Sequence, residues 1–248
     1  MTDNHDAASS APPGTLAIDI GGSGLKATVL DADGKMLVER VRIPTPRAIT
    51  PDRLVETLAG LVEPLPAYDR VSVGFPGVVH AGVIRTAPNL GTTRFRGFDL
   101  ARGLKHRLGK PVRVINDADM QGYGAIRGKG IEMVITLGTG FGSALFSDGR
   151  LAPHLELAHH PFEKGETYEQ RLGDAELKRV GERKWSRRVR RAIDQLRALA
   201  NFDHLFVGGG NAHKLKVRLP KDASIVDNNA GLQGGIRLWE DASHATDA

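Results

Sequence analysis

The chain has 248 residues, 40% of them hydrophobic and 25% charged, an ordinary globular composition with enough length for one large domain or two lobes. It contains no cysteine, which excludes disulfides and Cys-ligated zinc and agrees with a cytoplasmic protein. The net charge of +5 and an isoelectric point near 9.6 hint at a polyanionic partner, and no apolar run is long enough to span a bilayer.

Residues 1–14 are polar and rich in Ala, Ser and Pro, with neither a basic n-region nor an apolar h-region. They read as a short disordered arm and not as a signal peptide. Strands are then expected at 16–20 and 25–30. Between them the segment Asp19-Ile20-Gly21-Gly22-Ser23-Gly24-Leu25-Lys26 delivers a carboxylate into a glycine-rich turn. Such a turn lets backbone N–H groups approach an anion closely. A carboxylate beside that anion makes sense if Mg²⁺ lies between them, which makes Asp19 the candidate metal contact. The segment is neither a Walker loop nor a GxGxxG fingerprint. Taken alone, a glycine hairpin that binds nothing fits it equally well.

A third strand is expected at 36–43 after an Asp33-Gly34 turn, a helix at 51–62, a strand at 70–75, a helix at 100–108 and a strand at 112–115. A helix at 120–126, strands at 133–137 and 143–146, a helix at 185–200 and a strand at 205–207 follow. This alternation favours an α/β fold with a partly parallel sheet. The theme of the opening recurs: a strand, then Gly138-Thr139-Gly140-Phe141-Gly142, a second strand and an Asp148-Gly149 turn. Two such hairpins half a chain apart suggest a duplicated two-lobe architecture. The expected division is 15–117 and 118–228, with a helix at 229–242 completing the first lobe. Gly208-Gly209-Gly210-Asn211 forms a third glycine turn.

Asn116-Asp117-Ala118-Asp119 follows a strand, placing a carboxylate where ligands of open α/β sheets collect. Asp117 suits the role of base toward a hydroxyl. It also suits an N-cap for the helix near Met120, a duty for which Asp119 is the better candidate. Phe75-Pro76-Gly77 ends a strand in a tight turn able to approach a ligand through its backbone. Asn89 lies in a Pro-containing loop, as turn residues often do. Glu156, His159 and Glu169 offer acceptors and a donor for vicinal hydroxyls. The basic stretch 178–191 carries Lys178, Arg179, Arg183, Lys184, Arg187, Arg188, Arg190 and Arg191, with apolar Trp185, Val189, Ile193 and Leu196 at helical spacing. Its basic face is either simply solvated or a track for a polyphosphate; without a stacking platform or helix-turn-helix, nucleic acid is not expected.

Together these segments resemble the ROK family of sugar kinases, within the actin-like ATPase (ribonuclease H-like) superfamily, and in particular the branch that uses polyphosphate. Asp19–Thr28 is similar to the family's first phosphate hairpin, 137–143 to the second, and 205–211 to its nucleotide-side glycine motif. The resemblance implies glucose as substrate, held by Asn89, Asn116, Asp117, Glu156, His159 and Glu169. It also implies Asp117 as catalytic base and polyphosphate, with ATP, as donor. Phosphate contacts would come from Gly21, Gly22, Ser23, Gly24, Lys26, Gly138, Thr139, Gly140, Gly209 and Gly210, with Mg²⁺ near Asp19. A cytoplasmic homodimer is implied as well. Two departures stand out. Ala158 replaces a glycine of the family's Glu-x-Gly-His, and the family's zinc-binding cysteines are absent, so the loop 160–184 must be held by packing. An ATP-dependent hexokinase is the alternative. A sugar-responsive repressor would need an N-terminal DNA-binding domain larger than the arm.

Overall fold

The computed structural model describes residues 14–226 and 230–240. The expected arm over 1–14 and the ends of the helix expected over 229–242 therefore lie outside the described residues, apart from Gly14 and 230–240. The first sheet is built from β1 (Thr15–Ile20), β2 (Gly24–Leu30) and β3 (Val41–Pro44), with α1 (Pro51–Val62) leading to β4 (Arg70–Phe75). A small hairpin of β5 (Val79–His80) and β6 (Val83–Ile84) precedes the short α2 (Thr92–Phe95) and α3 (Leu100–Leu108). β7 (Val112–Asn116) then closes the sheet, whose order is β3-β2-β1-β4-β7.

Helix α4 (Asp117–Ala125) leads into a second sheet with the same plan. Its strands β8 (Ile131–Leu137), β9 (Phe141–Ser147) and β10 (Arg150–Leu151) are antiparallel. The hairpin β11 (Pro161–Glu163) and β12 (Glu166–Thr167) and helices α5 (Tyr168–Leu172), α6 (Asp174–Val180) and α7 (Glu182–Ala200) intervene before β13 (His204–Gly208) and β14 (Ala223–Ile225). The order is β10-β9-β8-β13-β14, with β13 parallel to both neighbours. In each sheet, then, two antiparallel neighbours lie on one side of the first strand and two parallel ones on the other. The last described helix is α8 (Ala230–Arg237).

Strand periodicity explains where side chains go. Leu16, Ile18 and Ile20 of β1 point into a core shared with Leu54 and Leu58 of α1 and Leu100 and Leu104 of α3. The alternate residue Ala17 packs with Ile236 of α8. Asp19 lies on that same face, one step nearer the strand end. In β8, Met133, Ile135 and Leu137 join Trp185, Val189 and Ile193 of α7, while Val134 packs with Met120 and Tyr123 of α4. Thus α4 and α8 occupy corresponding faces of the two sheets. They cross so closely that a Cβ on Gly234 would lie 1.8 Å from the Met120 carbonyl oxygen, and Gly235 meets Ser72 and Ala17. The Ser72 hydroxyl donates to the Gly235 carbonyl at 2.6 Å.

Three expectations need correction. The strand expected at 36–43 is reduced to Val41–Pro44, because Met36 and Leu37 are exposed and have no surface to cover. The cap of α4 is Asn116, whose side chain accepts from the amides of Ala118 and Asp119 at 2.8 and 3.2 Å, and neither aspartate does that work. The basic stretch 178–191 is also broken at Gly181 into two helices, and much of its charge is paired internally. Arg179 and Arg188 donate to Glu176, Arg171 and Arg191 to Glu163, and Arg190 to Asp194.

The loop 160–184 is held by this ionic cluster together with packing. Phe162 and Phe141 pack on Tyr168, with ring centroids 4.7 and 5.2 Å away, and the buried Trp185 indole donates to the Leu172 carbonyl at 2.8 Å.

Candidate active site

Both glycine turns open into one cleft of about 620 Å³ between the sheets. Every residue expected to contact sugar, phosphate or metal lines it: Asp19, Gly21, Gly22, Ser23, Gly24, Lys26, Asn89, Asn116, Asp117, Gly138, Thr139, Gly140, Glu156, His159, Glu169, Gly209 and Gly210. The turns use their glycines in two ways. The Gly21 amide donates to the Gly24 carbonyl at 2.9 Å and the Gly138 amide to the Gly140 carbonyl at 3.1 Å, so these two N–H groups shape the turns. The amides of Gly22, Ser23 and Thr139 have no acceptor among the described residues and are available to an anion. Gly22 must be glycine for another reason: a Cβ there would lie 2.9 Å from the Cβ of Asn89.

The third glycine turn is latched onto the second. Gly209 has φ +85, and a Cβ on it would sit 2.5 Å from the Leu137 backbone. The Asn211 amide donates to the Leu137 carbonyl at 2.8 Å, and its side chain donates to the Gly138 carbonyl at 3.2 Å and to Asp174 at 3.3 Å.

Asp117 is the first residue of α4, and its Oδ1 accepts from the Ala118 amide at 2.9 Å. Burial first, then the charge of Asp19, push its carboxyl up to about 7; Asp119 and Glu156 add to this, and the Ala118 amide opposes it. Asn116, besides capping α4, donates through Nδ2 to the Gly77 carbonyl at 3.1 Å. That bond ties the Phe75-Pro76-Gly77 turn to the helix carrying Asp117. On the opposite side, Glu169 in the first turn of α5 stands close to Gly140, where a Cβ would lie 3.0 Å from its Oε2.

A model of the ROK family matches residues 15–154, more than half of the chain. The chain belongs to the ROK family. A relative from Mycobacterium tuberculosis, polyphosphate glucokinase, is 31% identical over 255 residues, covering 94% of this chain and 96% of that protein. The crystal structure of the inorganic polyphosphate/ATP-glucomannokinase from Arthrobacter sp. strain KM superposes with a TM-score of 0.81 at 34% identity, covering 91% of this chain and 97% of that one. A ROK glucokinase from Streptomyces griseus, solved with glucose and AMPPNP, shares the two-lobe actin-like fold at a TM-score of 0.73 and 21% identity, covering 91% and 98%.

Some cleft residues escaped the sequence reading. Arg40 and Arg42 reach it from the β2–β3 side, and a Cβ on Gly24 would lie 3.1 Å from the Arg42 Nε. Thr136 and Asp174 line the opposite turns, beside Asn211 of the expected third glycine turn. Thr136 stands at the β8 position corresponding to Asp19 in β1, a correspondence visible only once the sheets are aligned. His154 is the most consequential omission. Its Nδ1 lies 3.0 and 2.9 Å from the two oxygens of buried Asp119. Burial alone would lower its proton affinity, but the hydrogen bond to Asp119 and the negative charges of Asp119 and Glu156 outweigh burial and push the imidazole up to about 10.

Proposed function

We propose that this chain is a polyphosphate-dependent glucokinase that transfers the terminal phosphoryl group of inorganic polyphosphate to the 6-hydroxyl of glucose. One observation carries the reading: a single cleft is lined by two glycine turns and by Asp117 with Asn89, Asn116, Glu156, His159 and Glu169. Likeness to named polyphosphate glucokinases over nearly the whole chain supports it. In this reading residues 15–117, completed by the C-terminal helix, form one lobe, and residues 118–228 the other. The sugar hydroxyls are held by Asn89, Asn116, Asp117, Glu156, His159 and Glu169.

The 6-oxygen attacks the terminal phosphorus as its proton passes to Asp117. The bond from that phosphorus to the bridging oxygen breaks, and the shortened polyphosphate leaves with the electron pair. A carboxyl with a pKa of about 7 is well matched to this task at neutral pH. The free amides of Gly22, Ser23 and Thr139, with Lys26, hold the transferred phosphoryl group, so catalysis rests on positioning and charge neutralisation.

The donor set beside the turns suits Mg²⁺, because Asp19 and Asp117 are hard carboxylate donors whose charges interact. No group of three or more metal-ligating side chains gathers among the described residues, so such an ion would take most of its coordination from phosphate and water. Asp19 would hold it, and when bound it would offset charge on the transferred group.

The remainder of a polyphosphate chain needs cations and nothing else. Exposed Arg183, Lys184 and Arg187 of α7 make no ion pair among the described residues, and Lys214 donates at 2.8 Å to Asn211, which lines the cleft. ATP is the second donor in this reading, as the name of the Arthrobacter relative includes it. Among the described residues no helix is long and apolar enough to cross a membrane. A cytoplasmic homodimer that binds no nucleic acid completes the proposal. Incubating the chain with glucose, polyphosphate and Mg²⁺ and following ³¹P NMR tests it: a hexose 6-phosphate resonance is expected. Orthophosphate alone would contradict the reading.

A further inference from the structure

Glu156 lies in the cleft with little to fix its carboxylate. It stands at the N-cap of the 3-10 turn Leu157–His159, yet its side chain makes no capping bond. The polar group that faces it is the imidazole of His154, whose Nε2 lies 3.8 Å from Glu156 Oε2. That ring is held rigidly from behind, since Nδ1 donates to both oxygens of Asp119, and the side chains of His154 and Asp119 are 10% and 4% exposed. Nε2 itself is buried and has no hydrogen-bond partner among the described residues. A ring enclosed between two carboxylates carries both protons, so this atom is a buried N–H donor lacking an acceptor by a fraction of an ångström. Buried donors without acceptors are rare and ask for an explanation.

We propose that His154 is a positioning residue for sugar binding: anchored by Asp119, its imidazolium orients Glu156, and the Nε2–H···Oε2 bond closes as Glu156 engages a hydroxyl of the bound hexose. The second carboxylate oxygen is then left to face that hydroxyl. Asp119 lies two residues beyond Asp117 on α4, so the same pair ties the segment 152–156 to the helix that presents the base. Outer groups that fix a ligating carboxylate commonly matter nearly as much as the carboxylate itself. The proposal rests on the reading of the cleft as a sugar site.

The test is calorimetric glucose binding, with steady-state kinetics, on the parent and on His154→Leu, Glu156→Gln and the double variant. His154→Leu is expected to raise the glucose Kd and KM about tenfold with the donor KM unchanged, and to add nothing in the Glu156→Gln background. Because His154→Leu strands the Asp119 charge and can fail to fold, Asp119→Asn/His154→Asn removes both charges together. It too should weaken glucose binding about tenfold. Unchanged glucose affinity in a folded variant, or an equal effect with and without Glu156, overturns the proposal while leaving the sugar site intact. A parent that binds no glucose overturns both.

Discussion

The Lys26 ammonium donates to Oδ2 of Asp19 at 2.8 Å across the β1–β2 ladder, where the two residues are register partners. Both line the cleft, and their side chains are 29% and 31% exposed. Strand pairing therefore places a cation and a carboxylate side by side at the mouth of the first glycine turn. Lys26→Met should leave stability within about 1 kcal/mol of the parent, because a pair this exposed contributes little. The donor KM should rise about tenfold, with the glucose KM unchanged, since only the phosphate side loses a charge. Thermal melts and kinetics with each substrate varied in turn check both halves.

Asp117 links activity to pH. The base must be deprotonated to accept the hydroxyl proton, so kcat/KM should rise with pH through about 7 and then level off. Asp117→Asn should lower kcat by about 10²- to 10⁴-fold while the fold is retained. Asp19→Asn removes the largest influence after burial and should move the ascending limb to lower pH. For stability the sign is the reverse of the usual carboxylate case. The folded carboxyl binds its proton more tightly than the unfolded one, so its contribution is lost as pH climbs from about 4 to about 7.

Glu176 is a test of the second lobe. It is buried, 7% exposed, and accepts from Arg179 at 2.5 Å, from Arg171 at 3.3 Å and from Arg188. The Arg179 bond, with Arg188 and against the effect of burial, pulls it down to about 2. Its contribution should be complete above about pH 4.5 and lost as pH falls through about 2. Glu176→Ala leaves Arg171 and Arg188 buried without this acceptor and should cost about 3–5 kcal/mol in urea unfolding at pH 7. A loss well under that range would mean the arginines find other partners.

Gly22→Ala isolates the contact between the first turn and the sugar side. The added methyl would lie 2.9 Å from the Cβ of Asn89, so one of the two must move. The glucose KM should rise several-fold, by about 1 kcal/mol of lost binding, with little change in melting temperature. An unchanged KM would show that Asn89 does not contact the sugar.

Both glycine hairpins were legible because each lies between two apolar runs, a pattern that depends only on neighbours in the chain. Their meeting in one cleft followed from the duplicated plan. The overestimate at 36–43 arose because Leu37, 52% exposed, looks like a strand residue until the sheet is seen to leave it uncovered. Elements between β10 and α7 were missed because they are short and their cohesion is ionic, with Arg171, Glu163 and Glu176 giving no apolar period to read. His154 was missed for a different reason. Its partner Asp119 lies 35 positions away, and in the sequence Asp119 has the spacing of a helix cap. Asn116 took the capping role, which left Asp119 to meet the histidine.

Initial rates of glucose 6-phosphate formation with inorganic polyphosphate and with ATP, in Mg²⁺ and at low and raised salt, test the central claim most directly. A polyphosphate-dependent glucokinase should show the higher kcat/KM with polyphosphate, and that value should fall as salt screens exposed Arg183, Lys184 and Arg187 of α7. Turnover with ATP alone, and none with polyphosphate at any salt, would contradict the account.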